Sequence, residues 1–214
     1  MIVTAVQRQR RRRRVDVFVD GRFALAMARE LAAERGVRPG RAVTQDELSA
    51  LAEAEARRGA MESGLRLLSY RPRGERELRD RLARKGFGGA AIDETLARLR
   101  GLGYLDDAAF ARFWTETRQL SRPRSRRLLA SELRRRGIAQ STAEEATADI
   151  SDEEVAYQVA SRRLRALRGL EHHRFRERLG RFLTSRGFSY DVARHIIERC
   201  WAEEGRLQDD ESAS

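Results

Sequence analysis

Three copies of one short phrase constrain the fold of this chain more than any other feature. Each copy has two leucines four residues apart, a glycine four residues after the second leucine, and then an apolar residue. The copies begin 51 and then 50 residues apart. Their twelve positions are Leu78, Leu82, Gly86, Phe87, Leu129, Leu133, Gly137, Ile138, Leu179, Leu183, Gly187 and Phe188. Self-similarity at a fixed period predicts a repeat architecture, in which each unit is one supersecondary module packed on its neighbours.

Each phrase predicts the end of a helix. Leucines at positions i and i+4 lie on one helix face. The glycine suits the left-handed backbone conformation that closes a helix, a conformation that strains residues with a Cβ. In such a Schellman motif the following apolar residue packs back onto the last turn. The predicted contact pairs are Phe87 with Leu82, Ile138 with Leu133, and Phe188 with Leu183.

Further helices are predicted after each phrase. One carries apolar residues at helical spacing, as at Ile92, Leu96 and Leu99. Another opens at Asp107 in the first copy and at Asp152 in the second, where we expect each aspartate to be the N-cap. The pattern predicts three helices per unit. The predicted ranges are 70–120 and 121–170 for two full units, 171–203 for a shortened third unit, and 204–214 for an acidic, disordered tail.

Residues 1–69 have a different pattern, which predicts a β-hairpin and helices. Alternating apolar residues on both sides of Asp20 and Gly21 indicate two strands joined by a tight turn. Residues 2–6 are a candidate third strand, and a short helix is predicted to end at Gly36. Thr44 and Glu47 form a predicted capping box for a helix that extends to about Ser69.

The predicted fold class is therefore mostly α. We expect three tandem three-helix units in an elongated curved array, preceded by a small N-terminal β-hairpin and helix extension. The content of only three prolines suits long helices. With 36% charged residues, the apolar core has to be spread over amphipathic helices.

The net charge of +11 predicts an anionic partner, with nucleic acid as the first candidate. Eight arginines and one acid occupy 118–136, and nine arginines and two acids occupy 162–186. Residues 142–154 contain six acids and no base, so basic and acidic bands alternate. The exposed faces of the predicted helices supply the candidate contact residues. These residues are Arg124, Arg127, Arg134, Arg135, Arg174, Arg178 and Arg181.

Two simpler explanations apply to these arginines. A charged helix face often does no more than keep a protein soluble, although such faces usually mix both signs. Arginine forks also suit carboxylates as well as phosphates, so the bands alone do not distinguish DNA from an acidic protein surface.

The sequence contains no pattern of an enzyme. His172, His173 and His195 lack metal-ligand spacing to one another or to Cys200, so we expect no metal and no cofactor. The aspartate pair 106–107 is better explained as a helix start than as a catalytic pair, and no nucleophile motif occurs.

The same features predict a cytoplasmic protein. A single cysteine cannot form an internal disulfide, which suits a reducing compartment. No run of eighteen apolar residues occurs, so we expect no membrane span, and residues 1–14 lack the apolar stretch of a signal peptide.

Two stretches resemble the signature of the RecX family. The resemblance covers residues 68–200 well and 1–67 loosely, and its motifs are mainly structural. Where the family often has a glycine before the helix of the second copy, this chain has Ser121 to Ser125. The matching stretches are Leu68-Ser69-Tyr70-Arg71-Pro72-Arg73-Gly74-Glu75-Arg76-Glu77-Leu78 and Leu102-Gly103-Tyr104-Leu105-Asp106-Asp107 with Phe110-Ala111.

This resemblance implies a regulator of the RecA recombinase in homologous recombination, DNA repair and the SOS response. RecX-like proteins are tandem three-helix repeats that lie in the groove of the RecA filament on single-stranded DNA. They inhibit strand exchange, ATP hydrolysis and coprotease function. The implied partners are the RecA filament and, weakly and electrostatically, single-stranded DNA, and we expect a monomer.

The alternative is a stand-alone DNA-binding protein, because three-helix units overlap in architecture with helix-turn-helix domains. The exposed faces offer arginine almost exclusively, which favours phosphate contact over the reading of base edges. We therefore expect binding to bare DNA to be weak and steeply dependent on salt.

Overall fold

The computed structural model describes residues 1–10 and 13–212, with side chains as far as Glu204. The chain forms two compact bodies. The N-terminal body contains Met1–Arg71 and Leu78–Leu105. The C-terminal body contains Pro72–Glu77 and the chain from Asp106 onward.

A three-stranded antiparallel sheet opens the chain, with order β1-β2-β3. Its strands are β1 (Val3–Arg8), β2 (Arg14–Val19) and β3 (Arg22–Ala28). Asp20 and Gly21 make the turn between β2 and β3 with φ of 49° and 78°, as that dipeptide predicts. Alternate residues of β2 are buried against the helices that follow. The predicted hairpin and its third strand are confirmed.

Two helices complete the N-terminal extension, α1 (Arg29–Glu34) and α2 (Gln45–Tyr70). The Thr44 hydroxyl accepts the Glu47 amide at 3.1 Å, and the Glu47 carboxylate accepts the Thr44 amide at 2.8 Å. This capping box confirms the predicted start of α2. Hydrogen bonding to the Thr44 backbone is the main cause that lowers the pKa of Glu47.

Eight further helices follow within the described residues. They are α3 (Glu75–Arg84), α4 (Gly89–Gly101), α5 (Asp107–Ser121), α6 (Arg126–Arg135), α7 (Gln140–Glu145), α8 (Asp152–Leu164), α9 (His172–Ser185) and α10 (Tyr190–Ser212). No helix of the described residues is long and apolar enough to cross a membrane.

The three phrases end α3, α6 and α9 as predicted. Gly86, Gly137 and Gly187 have φ of 86°, 89° and 87°. In each motif the amide of the next residue donates to the carbonyl of the second leucine, at 3.3, 3.1 and 3.3 Å. The glycine amide donates to the carbonyl of the residue after that leucine. Both bonds of the Schellman motif are therefore present three times.

The apolar cores group the helices into three repeats, which differ from the predicted ranges by one helix. One core joins α2, α3 and α4, a second joins α5, α6 and α7, and a third joins α8, α9 and α10. Each repeat therefore begins one helix before the helix that carries the phrase. The predicted ranges 70–120, 121–170 and 171–203 each begin with the helix that carries the phrase. The third repeat has three helices and is not shortened. The difference arises because a sequence period gives the spacing of units but not the helix at which a unit starts.

The aspartates predicted as N-caps have another role. The N-caps of α5 and α8 are Asp106 and Ser151, and Asp107 and Asp152 are the first helical residues. The Asp107 carboxylate accepts the Glu75 amide at 2.9 Å, at the start of α3. The Asp152 carboxylate accepts the Arg126 amide at 2.7 Å, at the start of α6. Each aspartate therefore satisfies a free amide on the preceding repeat, a contact that local sequence does not indicate.

Ser125, which lies at the position that Gly74 holds in the first copy, joins the second and third repeats. Its hydroxyl accepts the Leu128 amide at 3.2 Å as the N-cap of α6, and it donates to the Gly187 carbonyl at 2.7 Å. The Asp152 contact and the Ser125 contact together fix the start of α6 against the third repeat.

The predicted tail, 204–214, begins inside α10, whose backbone is helical as far as Ser212. Glu204 is 6% exposed and pairs with Arg168 at 3.0 Å. This pairing gives the helix a tertiary contact at the point where disorder was expected to begin. Residues 213 and 214 lie outside the described residues.

Candidate functional site

Arginines of the C-terminal body surround one buried carboxylate, that of Glu132 on α6. Glu132 is 9% exposed. It forms ion pairs with Arg124, in the loop before α6, and with Arg118 of α5, whose Nε lies 3.6 Å from Oε2. The Trp114 indole also donates to Glu132 Oε2 at 3.4 Å. Its burial and three partners make Glu132 the anchor of the surrounding basic side chains.

Two aromatic rings hold further guanidinium groups of this region. The guanidinium carbons of Arg136 and Arg118 lie 3.6 and 4.3 Å from the centroid of the Trp114 ring. Those of Arg163 and Arg186 lie 4.5 and 4.8 Å from the Phe182 ring. Stacking of this kind orients the guanidinium plane and leaves its edge available for hydrogen bonds.

Arg186 connects the two groups of arginines. Its Nη1 donates to the Pro123 carbonyl at 2.9 Å, in the loop that precedes α6. Burial is the main cause that lowers the pKa of Arg186, followed by the positive charges of Arg122 and Arg163. Burial likewise lowers the pKa of Arg124, followed by the positive charges of Arg118, Arg122, Arg186 and Arg135. These arginines therefore lie close enough together for their positive charges to repel one another.

We call this group the junction cluster, because it lies where the second and third repeats meet. It consists of Arg118, Arg122, Arg124, Arg135, Arg136, Arg163 and Arg186, around Glu132. Seven positive charges with one internal carboxylate create a positive potential that attracts anions. Arg122 and Arg163 are exposed, and no ion pair is found for either within the described residues.

The predicted contact residues are divided between this cluster and two helix faces. Arg124 is paired with Glu132, so its charge is partly compensated inside the protein. Arg127, Arg134 and Arg135 are exposed on α6, and only Arg135 belongs to the cluster. The remaining three are exposed on α9, where one of them pairs with Glu177. These three are Arg174, Arg178 and Arg181.

Five cluster residues were not among the predicted contacts: Arg118, Arg122, Arg136, Arg163 and Arg186. A signal for two of them was present in the sequence. Arg136 and Arg186 directly precede the glycines of the second and third phrases, and Lys85 takes that place in the first. A basic residue repeated at the C-cap places a side chain at the same corner of each repeat.

Within the described residues, no three His, Cys, Asp or Glu side chains lie close enough together to hold a metal ion. Cys200 is fully buried, and burial raises the pKa of its thiol to about 11. A thiol with that pKa is a poor nucleophile at neutral pH.

The substitution Glu132→Gln tests whether the carboxylate holds the cluster together. We expect it to lower the free energy of unfolding by about 1.5 kcal/mol, because the partly buried Arg118 and Arg124 lose their counterion. The loss is moderate because water still reaches part of both arginine side chains. Urea denaturation followed by circular dichroism measures the change.

The control for this experiment is Glu177→Gln, the same substitution in an exposed ion pair with Arg181. That control is expected to change the free energy of unfolding by less than about 0.5 kcal/mol. Equal effects of the two substitutions would contradict the anchoring role of Glu132.

Comparison with known proteins finds three family models along the chain. The models are described as RecX first, second and third three-helix domain, and they match residues 60–99, 106–146 and 151–197. These ranges correspond to the grouping of α2–α4, α5–α7 and α8–α10 by their cores.

Curated relatives carry the name Regulatory protein RecX. That of Streptomyces lividans is 35% identical over 144 residues, which cover 66% of this chain and 77% of the relative. That of Thermobifida fusca is 36% identical over 144 residues, with coverage of 66% and 78%. That of Lactobacillus delbrueckii is 29% identical over 201 residues, with coverage of 92% and 74%.

Solved structures share the fold. A crystal structure of regulatory protein RecX matches with a TM-score of 0.67 and 24% identity, covering 92% of this chain and 98% of that one. RecX from Lactobacillus salivarius matches with a TM-score of 0.62 and 22% identity, covering 69% and 97%.

Proposed function

Because this chain belongs to the RecX family, we propose that it binds the filament that the RecA recombinase forms on single-stranded DNA. There it inhibits strand exchange, ATP hydrolysis and coprotease activity. It acts as a monomeric regulator in the cytoplasm, in recombination and DNA repair, without a cofactor.

The observation that carries the proposal is the junction cluster on a chain of this family. A filament of recombinase and DNA presents phosphates and carboxylates. Arginines held on Trp114 and Phe182 match both, because a guanidinium group binds either anion through two parallel hydrogen bonds. Repeats in series also allow several weak contacts to act together, which raises the overall affinity.

The test is the single-stranded-DNA-dependent ATP hydrolysis of RecA from the same organism, titrated with the full chain. We expect inhibition at less than one copy per recombinase molecule, because a regulator that blocks filament growth acts on many subunits. Absence of inhibition, combined with tight binding to naked DNA, would replace the proposal with a stand-alone DNA-binding function.

A further inference from the structure

A groove on the C-terminal body has the opposite charge to the junction cluster. It lies between α5 and α7 and has a volume of about 400 Å³. The charged residues of its lining are Glu116 on α5, Glu145 and Asp149 at and after the end of α7, and Arg112 on α5. The groove thus holds three carboxylates and one guanidinium group.

Among the described residues, the three carboxylates have no cationic partner within ion-pair distance. All three residues are exposed, and within the described residues no ion pair or side-chain hydrogen bond is found for them. Other acids of the same body are paired, such as Glu132, Glu177 and Glu204. One wall of the groove, with Glu145 and Asp149, is part of the band 142–154, which contains six acids and no base. A charge band of one sign beside a concave surface concentrates the opposite charge there.

A second, independent feature of the groove is the hydroxyl of Thr115. Thr115 lines the groove and is 7% exposed. Its Oγ1 is buried and has no hydrogen-bond partner in the described residues. Buried polar atoms are nearly always hydrogen-bonded, because an unpaired one costs about 1–3 kcal/mol. A ligand that donates a hydrogen bond in the groove removes that cost.

We propose that this groove binds a lysine or arginine side chain on a segment of a partner protein. Such a side chain supplies positive charge for the carboxylates and N–H donors for the Thr115 hydroxyl. Its aliphatic stem suits the apolar part of the lining at Ala146 and Ile150. DNA does not fit, because its phosphates are repelled by the same carboxylates.

The inference rests on the proposed function in one respect only, the identification of the recombinase as the partner that carries the basic segment. The regulator then contacts its target with two surfaces of opposite sign. Complementary charges of both signs fix the register of an interface and exclude wrong partners more effectively than one sign alone.

A triple substitution tests the groove. The variant Glu116→Gln, Glu145→Gln and Asp149→Asn removes its negative charge. Its control is Glu153→Gln, Glu154→Gln and Asp191→Asn, which removes the same number and kind of exposed acids outside the groove. The probe is a short fluorescein-labelled peptide of alternating arginine and glycine, and fluorescence anisotropy measures its binding to the full chain.

We expect the groove variant to bind the peptide about tenfold more weakly than either wild type or control, a change of about 1.4 kcal/mol. The further variant Thr115→Val keeps the shape and removes the hydroxyl. We expect it to weaken binding about fivefold without lowering the free energy of unfolding. Equal affinities of the groove variant and its control would overturn the inference.

Binding to the recombinase filament then tests the identity of the partner through the sign of the effect. Either triple variant raises the net charge from +11 to +14. If the groove faces only DNA phosphates, this change strengthens binding to the filament. If it holds a basic segment of the recombinase, the groove variant binds more weakly while the control does not. Failure of wild type to bind the filament refutes the proposed function, while the peptide measurement still decides the groove.

Discussion

Replacing Gly187 with alanine is expected to lower the free energy of unfolding of the C-terminal body by about 3 kcal/mol. Two costs add. The residue has φ of 87°, where a Cβ is strained by about 1 kcal/mol or more. The added Cβ also meets Leu128 Cβ and Ser125 Oγ, each at 2.6 Å. Leu128 Cβ is fixed to the backbone of α6, so relief requires a shift between the second and third repeats, and overpacking of this kind costs about 2 kcal/mol.

Gly86→Ala and Gly169→Ala separate the two costs. Both glycines have positive φ, 86° and 72°, and neither has an atom within 4 Å of an added Cβ. Gly86 occupies the same motif as Gly187, and Gly169 lies in the same body. Each control is expected to cost about 1 kcal/mol in urea denaturation. If Gly187→Ala cost no more than these, the close packing of the two repeats would be refuted.

Neutralising Arg122 and Arg163 together, as Arg122→Gln and Arg163→Gln, is expected to weaken binding to the RecA filament about thirtyfold. Each of the two substitutions removes one charge-assisted contact with the filament, worth about 1 kcal/mol. The two losses together are about 2 kcal/mol. If both contacts are to phosphates of single-stranded DNA, the slope of log K against log salt concentration also falls by about 1.4. Anisotropy on labelled DNA coated with the recombinase measures both quantities.

Two matched pairs accompany this experiment. Arg127→Gln with Arg134→Gln tests the exposed face of α6 that the sequence predicted. Arg22→Gln with Arg38→Gln removes two exposed charges from the N-terminal body. We expect the latter pair to change the affinity by less than about threefold, through net charge alone. A loss at α6 with no loss at Arg122 and Arg163 would restore the predicted face as the binding site and exclude the cluster.

The candidate site was only partly visible in the sequence. The band 118–136 predicted positive charge in the right part of the chain, and Arg124 and Arg135 belong to the cluster. Their surroundings were not predicted, because Glu132 was one acid among eight arginines with no sign that it was buried. Arg186 was missed because its position depends on the loop around Pro123, which lies 63 residues away.

Local chemistry determined the secondary structure. The capping box at Thr44, the turn at Asp20 and Gly21, and the three Schellman glycines each involve residues no more than five positions apart, so their patterns can be read directly. The spacing of the three phrases gave the repeat period, and the resemblance of two stretches to a known signature gave the family.

Tertiary structure alone decided where each repeat begins, which arginines are paired and which carboxylates are left unpaired. Asp107 and Asp152 cap the preceding repeat instead of their own helices, and Ser125 bonds a carbonyl 62 residues away. These contacts depend on how helices far apart in the chain pack. A helical pattern specifies which face of a helix is buried, but it does not specify which other helix will cover that face.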